Sequence, residues 1–84
     1  MNIKDSIQQI IYRSRINSSL LFTVENDRGE SMYIPLDGLT ACMMNLSKKN
    51  QEKVLKHCER LQDDPERLMS FFKKLATSVA KKKL

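Results

Sequence analysis

Residues 47–79 read SKKNQEKVLKHCERLQDDPERLMSFFKKLATSV, a stretch that contains two amphipathic helical patterns separated by an acidic turn with a proline. At about 100° per residue, the apolar side chains of the first pattern fall on one side of a helix and its basic side chains on the opposite side. The apolar side comprises Val54, Leu55, Cys58 and Leu61, and the basic side comprises Lys49, Lys53, Lys56 and Arg60. One face therefore requires a hydrophobic core, and the other requires water or a negatively charged partner.

Capping signals set the limits of these two helices. Ser47 is an N-cap residue for a helix over residues 48–62. Asp64 is the predicted N-cap of the last helix, with Pro65 at its first position and Glu66 in its first turn. The last helix carries an apolar stripe of Leu68, Phe72, Leu75, Ala76 and Val79, and a second basic row of Arg67, Lys74 and Lys81. Residues from about 80 to 84 are predicted to form a frayed basic tail.

The first half of the chain begins with a third helical pattern. Apolar side chains at positions 3, 7, 10 and 11 are all isoleucine, and their spacing predicts a helix over residues 3–15. Asn2 is its predicted N-cap, and Arg13 and Arg15 lie where the negative end of the helix dipole favours cations.

From Leu20 the apolar period changes to two, which predicts a β-hairpin with its turn at residues 26–29. If Gly29 adopts the left-handed conformation of a three-residue loop, Asn26 pairs with Glu30. The register then pairs Val24 with Met32, Phe22 with Ile34, and Leu20 with Leu36. All six apolar side chains share one face, so the hairpin must pack against helices or against a second copy of the chain.

A short apolar segment connects the hairpin to the predicted helix over residues 48–62. Pro35 lacks an amide donor, which makes the second strand an edge or ends its pairing there. Asp37 is the predicted N-cap of a helix over residues 38–46. Met43 and Met44 lie side by side in it, and they indicate either core packing, the commoner case, or a soft contact surface.

These patterns predict the fold class. The chain of 84 residues is expected to form one small domain of the α+β class, mostly helical, in the order α-β-β-α-α-α. One β-hairpin packs against amphipathic helices.

The net charge of +5 is concentrated in the second half of the chain. Residues 1–46 carry four basic and five acidic side chains, whereas residues 47–84 carry eleven basic and five acidic ones. This asymmetry favours nucleic acid, an anionic membrane surface or an acidic protein as a partner. A lysine-rich outer face also keeps a small helical protein soluble, so the charge pattern leaves both interpretations open.

No residue pattern predicts catalysis, a cofactor or a metal. His57 and Cys58 are neighbours on a helix and point about 100° apart, so they do not form a nucleophile and base pair. With Cys42 added, the set still lacks the four ligands of a zinc site. Two glycines in the whole chain exclude a glycine-rich phosphate loop. The sequence therefore predicts a protein that is not an enzyme.

The two cysteines, Cys42 and Cys58, occur in apolar helical surroundings, which predicts free buried thiols in a reducing compartment, the cytoplasm. Charged residues interrupt the first 20 positions, so a secretory signal is not expected. No apolar run reaches the length of a membrane span.

Two binding hypotheses follow. The first is a small regulatory protein that binds nucleic acid, or a complex associated with it, through Lys49, Lys53, Lys56 and Arg60, supported by Arg67, Lys74 and Lys81. The second is a protein-binding adaptor or inhibitor, or a homodimer, with an apolar contact surface drawn from Pro35, Met43, Met44 and Phe71. A weaker third hypothesis is contact of the last helix with an anionic membrane.

Overall fold

The computed structural model describes residues 2–82. Helix α1 spans Ile3–Arg13, strands β1 and β2 span Leu21–Glu25 and Ser31–Pro35, and helix α2 spans Leu36–Cys42. A 3-10 turn, Met43–Asn45, follows, and then helices α3, Lys48–Leu61, and α4, Pro65–Ala80. With α2 and the 3-10 turn taken together, this order confirms the predicted α-β-β-α-α-α arrangement.

Helix α1 begins and ends through local hydrogen bonds. The Asn2 side-chain oxygen accepts a bond of 2.9 Å from the Asp5 amide, as its predicted role requires. At the other end Arg15 adopts a left-handed conformation with φ 57°, and the Ile16 amide donates to the Ile11 carbonyl at 3.1 Å. This is the Schellman arrangement, which closes the helix. The helix therefore ends at Arg13, two residues before the predicted limit.

The hairpin has the predicted register, with Phe22 opposite Ile34 and Val24 opposite Met32. Gly29 has φ 77°, and the Asn26 amide donates to the Glu30 carbonyl at 3.0 Å, so the loop also has the predicted form. Phe22, Val24 and Ile34 are buried, whereas Met32 is 38% exposed. Met32 lies at the turn end of the hairpin, beside the C-terminal end of α4, where the core ends.

The predicted N-cap of α2 is wrong. The helix begins at Leu36, its N-cap is Pro35, and no side chain caps it. Asp37 lies in the first turn instead, and its carbonyl accepts a bond of 2.9 Å from the Thr40 hydroxyl. The Leu36 amide donates to the Leu20 carbonyl at 2.8 Å, and the Leu36 side chain is completely buried. Tertiary burial of Leu36 thus moves the helix start two residues ahead of the predicted one.

The caps of the last two helices are as predicted. The Ser47 hydroxyl accepts from the Asn50 amide at 3.2 Å, and the Asp64 carboxylate accepts from the Arg67 amide at 3.3 Å. Pro65 is the first residue of α4. Of the predicted tail, Ala80 is buried in the last turn of α4, and Lys83 and Leu84 lie outside the described residues.

One hydrophobic core lies between the hairpin and the helices. Helix α4 packs against β1 and α2, and α1 packs against α2 and α3. The core includes the isoleucines of α1, the inner face of the hairpin and the apolar stripe of α4, with Val79 at its edge. The hairpin thus packs against amphipathic helices. The outer face of α3 takes no part in this core and is exposed to solvent.

Cys58 is the buried residue of α3, whereas Cys42 is half-buried, and both thiols are free. Burial raises the pKa of the Cys58 thiol from 9.0 to about 12, and the Glu59 carboxylate adds to the shift. The folded protein therefore keeps this thiol protonated at pH values where the unfolded chain ionises it.

Folding stability should consequently fall at alkaline pH. Between about pH 9 and about pH 12, the Cys58 thiol should lower the free energy of unfolding by about 1.4 kcal/mol per pH unit. Urea denaturation of the wild type and of Cys58→Ala separates this effect from lysine titration, because the stability difference between them should change with that slope. A difference that stays constant across this range would show that the thiol ionises equally in both states.

Candidate nucleic-acid interface on helix α3

The four predicted basic residues of α3 all lie on its exposed outer face. We call Lys49, Lys53, Lys56 and Arg60 the basic ridge. On the opposite face Cys58 is fully buried, and Val54, Leu55 and Leu61 pack partly buried against the core. The structure therefore brings the four cations together on one solvent-facing surface.

Helix α1 runs alongside α3 in the same direction and borders one side of the ridge. Ile3 and Ser6, at the start of α1, line a cleft with residues from the first two turns of α3, among them Glu52. At the other end the buried Ser14 donates its hydroxyl to the Gln62 carbonyl at 3.0 Å. Glu52 and Glu59 are seven residues apart, so both lie on the flank of α3 that faces α1.

Helix α4 borders the other side of the ridge. The His57 ring lies 4.3 Å from the Phe71 ring, centroid to centroid, with a tilt of 58°. Arg67 and Lys74 are four residues before and three residues after Phe71, so they share its face of α4. Arg67 and Lys74 of the second basic row therefore lie on the face of α4 that meets α3.

The ridge cations form no ion pair within residues 2–82, although Glu52 is four positions before Lys56 on the same helix. In residues 2–82 the one ion pair joins the Arg67 and Asp64 side chains at 3.4 Å. No carboxylate of the first half of the chain lies within 4.0 Å of a ridge cation over the same residues. Lys49 and Lys53, and likewise Lys56 and Arg60, are like-charged neighbours that each cost the helix about 0.2–0.5 kcal/mol. The positive electrostatic potential of the basic ridge is therefore available to an anionic partner.

The second row contributes unequally. Arg67 is exposed, but its guanidinium already pairs with Asp64. Lys81 is half-buried at the C-cap of α4, and Lys74 is exposed. Lys74 is therefore the member of this row best placed to add charge to the ridge.

The predicted apolar contact surface is dispersed. Met43 is 1% exposed and belongs to the core, so it is not a surface residue, because the 3-10 turn directs it inward. Met44 and Pro35 are exposed, and Phe71 is half-buried against His57. These residues lie on different elements of the fold.

Sequence reasoning missed a more exposed apolar surface on the outer face of the hairpin. Leu21 is 57% exposed and pairs with Pro35, and Tyr33 is 70% exposed. The signal was present in the sequence, since these residues occupy the alternate positions to Phe22 and Ile34. Thr23, Glu25 and Ser31 share this face, so Leu21, Tyr33 and Pro35 form its apolar end.

Metal ligands do not cluster in the described part of the chain, where no three side chains from His, Cys, Asp and Glu form a group. His57 is on the surface, and Cys58 is in the core. None of the helices within residues 2–82 is both long enough and apolar enough to span a membrane. Comparison of the chain with known protein families, with curated proteins and with solved structures gave no match.

Proposed function

We propose that this protein is a small, non-enzymatic regulatory protein that binds nucleic acid, or a complex built on nucleic acid, through the basic ridge. Arg67, Lys74 and Lys81 supply supporting charge from α4. The observation that carries the proposal is the exposure of four cations on one face of α3, with no carboxylate in ion-pair contact among the described residues. The free thiols of Cys42 and Cys58 favour a reducing location, the cytoplasm.

The dimensions of the ridge suit a nucleic-acid backbone. Lys49 and Arg60 are eleven positions apart, which at about 1.5 Å per residue gives a ridge roughly 16 Å long. Phosphates of one DNA strand rise by about 3.4 Å along the helix axis, so roughly four or five of them match that length. Each neutralised phosphate releases condensed counterions, and this release drives binding without sequence preference.

The ridge is suited to backbone contacts and not to reading bases. Its side chains are lysines and one arginine, which bind phosphates as charges, and contacts of that kind position a protein without specifying sequence. The start of α4 is unsuited to a recognition helix, because Asp64 and Glu66 would face the phosphates there. We therefore assign the contact to the side of α3.

Salt dependence tests the proposal. For a short labelled duplex, the logarithm of affinity should fall with the logarithm of salt concentration with a slope of roughly −3 to −4, because about four phosphates are contacted. Fluorescence anisotropy over a salt series measures this slope. An affinity that does not respond to salt would contradict the proposal.

A second candidate is a homodimer or protein-binding adaptor that uses the outer face of the hairpin. Exposure of the apolar side chains of Leu21 and Tyr33 favours it. The same samples distinguish the candidates, since light scattering reports their mass. A species of twice the 9.8 kDa chain mass, with no duplex binding at low salt, would support this candidate over the first.

A further inference from the structure

We propose that His57 is a further contact residue of the basic ridge, and that its protonated ring binds a phosphate of the nucleic acid. This inference rests on the proposed function and adds a means of regulation to it. Histidine is the side chain whose charge ordinarily changes between about pH 5 and pH 8. Binding through the ridge should therefore strengthen as the pH falls through that range.

The position of His57 on α3 places it beside the ridge. Residues three and four positions apart on a helix are neighbours, with about 5–6 Å between their Cβ atoms. Lys53 is four positions before His57, and Arg60 is three positions after it, so both ridge cations are such neighbours. Like them, His57 is exposed. The ring therefore borders the row of cations on the side where α3 meets α4.

An observed contact joins this side of the ridge to α4. The centroids of the His57 and Phe71 rings are 4.3 Å apart. Arg67 and Lys74 are the neighbours of Phe71 on its own helix. Arg67 is paired with Asp64, whereas Lys74 is exposed and makes no ion pair within residues 2–82. His57 thus lies between the ridge and Lys74, so a phosphate backbone that contacts both passes over its ring.

Cations surround His57, and carboxylates do not reach it. The neighbouring cations are Lys53, Lys56 and Arg60 on α3, and Arg67 and Lys74 on α4. Glu59 is two positions after His57 and so lies on the far side of α3. Asp63 and Asp64 lie beyond the end of α3, and Asp64 is bound by Arg67. Over the described residues, no carboxylate is within 4.0 Å of the His57 ring nitrogens, so a bound phosphate would supply the close counter-charge.

Phosphate binding and protonation of the ring are linked. An anion beside an imidazole favours its charged form, so the bound state takes up a proton, and protonation in turn strengthens binding. His57 is the only histidine of the chain. Between about pH 5.5 and pH 7.5 no other type of side chain ordinarily changes its charge. A pH response of the affinity in this range would therefore report on this one residue.

Anisotropy titrations of a labelled duplex at about pH 5.5 and about pH 7.5 test the inference in the full chain. The wild type should bind about 5-fold more tightly at the lower pH, and its salt slope should be steeper there by roughly 0.9, the contribution of one phosphate contact. His57→Lys should bind at both pH values with the affinity of the wild type at the lower one, because lysine stays charged. His57→Phe retains a ring against Phe71 and should bind at both with the wild-type affinity of the higher pH.

The outcomes separate this inference from the proposed function. If the wild type shows no pH response, or if His57→Phe retains it, the ring does not bind phosphate and the inference is overturned, while salt-dependent binding through the ridge stands. If replacing the ridge cations leaves duplex binding unchanged, the proposed function fails, and this inference fails with it. Thermal melts confirm that both variants are folded, as expected for an exposed side chain.

Discussion

Replacing the four cations of the basic ridge with glutamine should lower the affinity for nucleic acid by on the order of 10³-fold at about 0.1 M salt. For duplex DNA, each lost phosphate contact removes roughly 0.9 from the slope of log affinity against log salt, so four losses leave only the small slope that the supporting row contributes. Glutamine keeps a similar length and helix propensity. The melting temperature should change little, because two like-charged pairs disappear together with the favourable pair of Glu52 and Lys56. Anisotropy titrations and thermal melts of Lys49→Gln/Lys53→Gln/Lys56→Gln/Arg60→Gln measure both quantities.

A second quadruple variant controls for net charge. Arg28, Lys48, Lys73 and Lys82 are exposed cations outside the ridge and its supporting row. Replacing these four with glutamine lowers the charge by the same amount, yet it should reduce affinity only a few-fold and keep most of the salt slope. Equal losses in the two variants would mean that binding follows overall charge, and the ridge would then have no special role.

Local signals explain why much of the fold follows from the sequence. Ser47 and Asp64 each accept a hydrogen bond from an amide three residues later, so the starts of α3 and α4 depend on neighbouring residues alone. The hairpin register is set by Gly29 at its turn together with the alternation of buried side chains. Such features are encoded within a few positions of where they act.

Features that depend on distant contacts were not predictable in the same way. Asp37 has the chemistry of an N-cap, but burial of Leu36 under the hairpin moved the helix start. The left-handed conformation of Arg15 is unexpected in sequence, because this position usually carries glycine. The sequence favoured core packing for Met43 and Met44 together, but it did not separate them, and the 3-10 turn buries Met43 and exposes Met44.

The candidate site likewise has one part that could be predicted from local sequence and one part that depends on distant contacts. Exposure of the ridge followed from helical periodicity, since residues opposite Cys58 must face away from the core. Its borders depend on which helices pack beside α3. Two contacts set these borders: the hydrogen bond from Ser14 to Gln62 and the packing of His57 against Phe71. Both join residues that are distant in sequence, so no periodic pattern predicts them.

The largest loss of stability is expected from Phe72→Ala. Phe72 is among the largest fully buried side chains and lies on α4, the helix that packs against both β1 and α2. Its truncation should cost about 3–5 kcal/mol, through lost transfer free energy and an unfilled cavity. At roughly 0.05–0.15 kcal/mol per residue, the whole chain has about 4–13 kcal/mol of stability. Urea denaturation should therefore show a much lower midpoint with an unchanged m-value.

Phe71→Ala is the matched control, because it removes the same ring from the neighbouring position. Phe71 is half-buried and its ring packs at a tilt against the exposed His57 ring, so its loss leaves a surface groove that water fills and not a sealed cavity. We expect a cost of about 1–1.5 kcal/mol, in the range of one aromatic pair with limited burial. Similar costs for the two variants would contradict the placement of the core between α4, α2 and the hairpin. A larger loss of unfolding free energy for Phe71→Ala than for Phe72→Ala would instead show that the contact between α3 and α4 contributes most to stability. The position of the basic ridge would then depend directly on that contact.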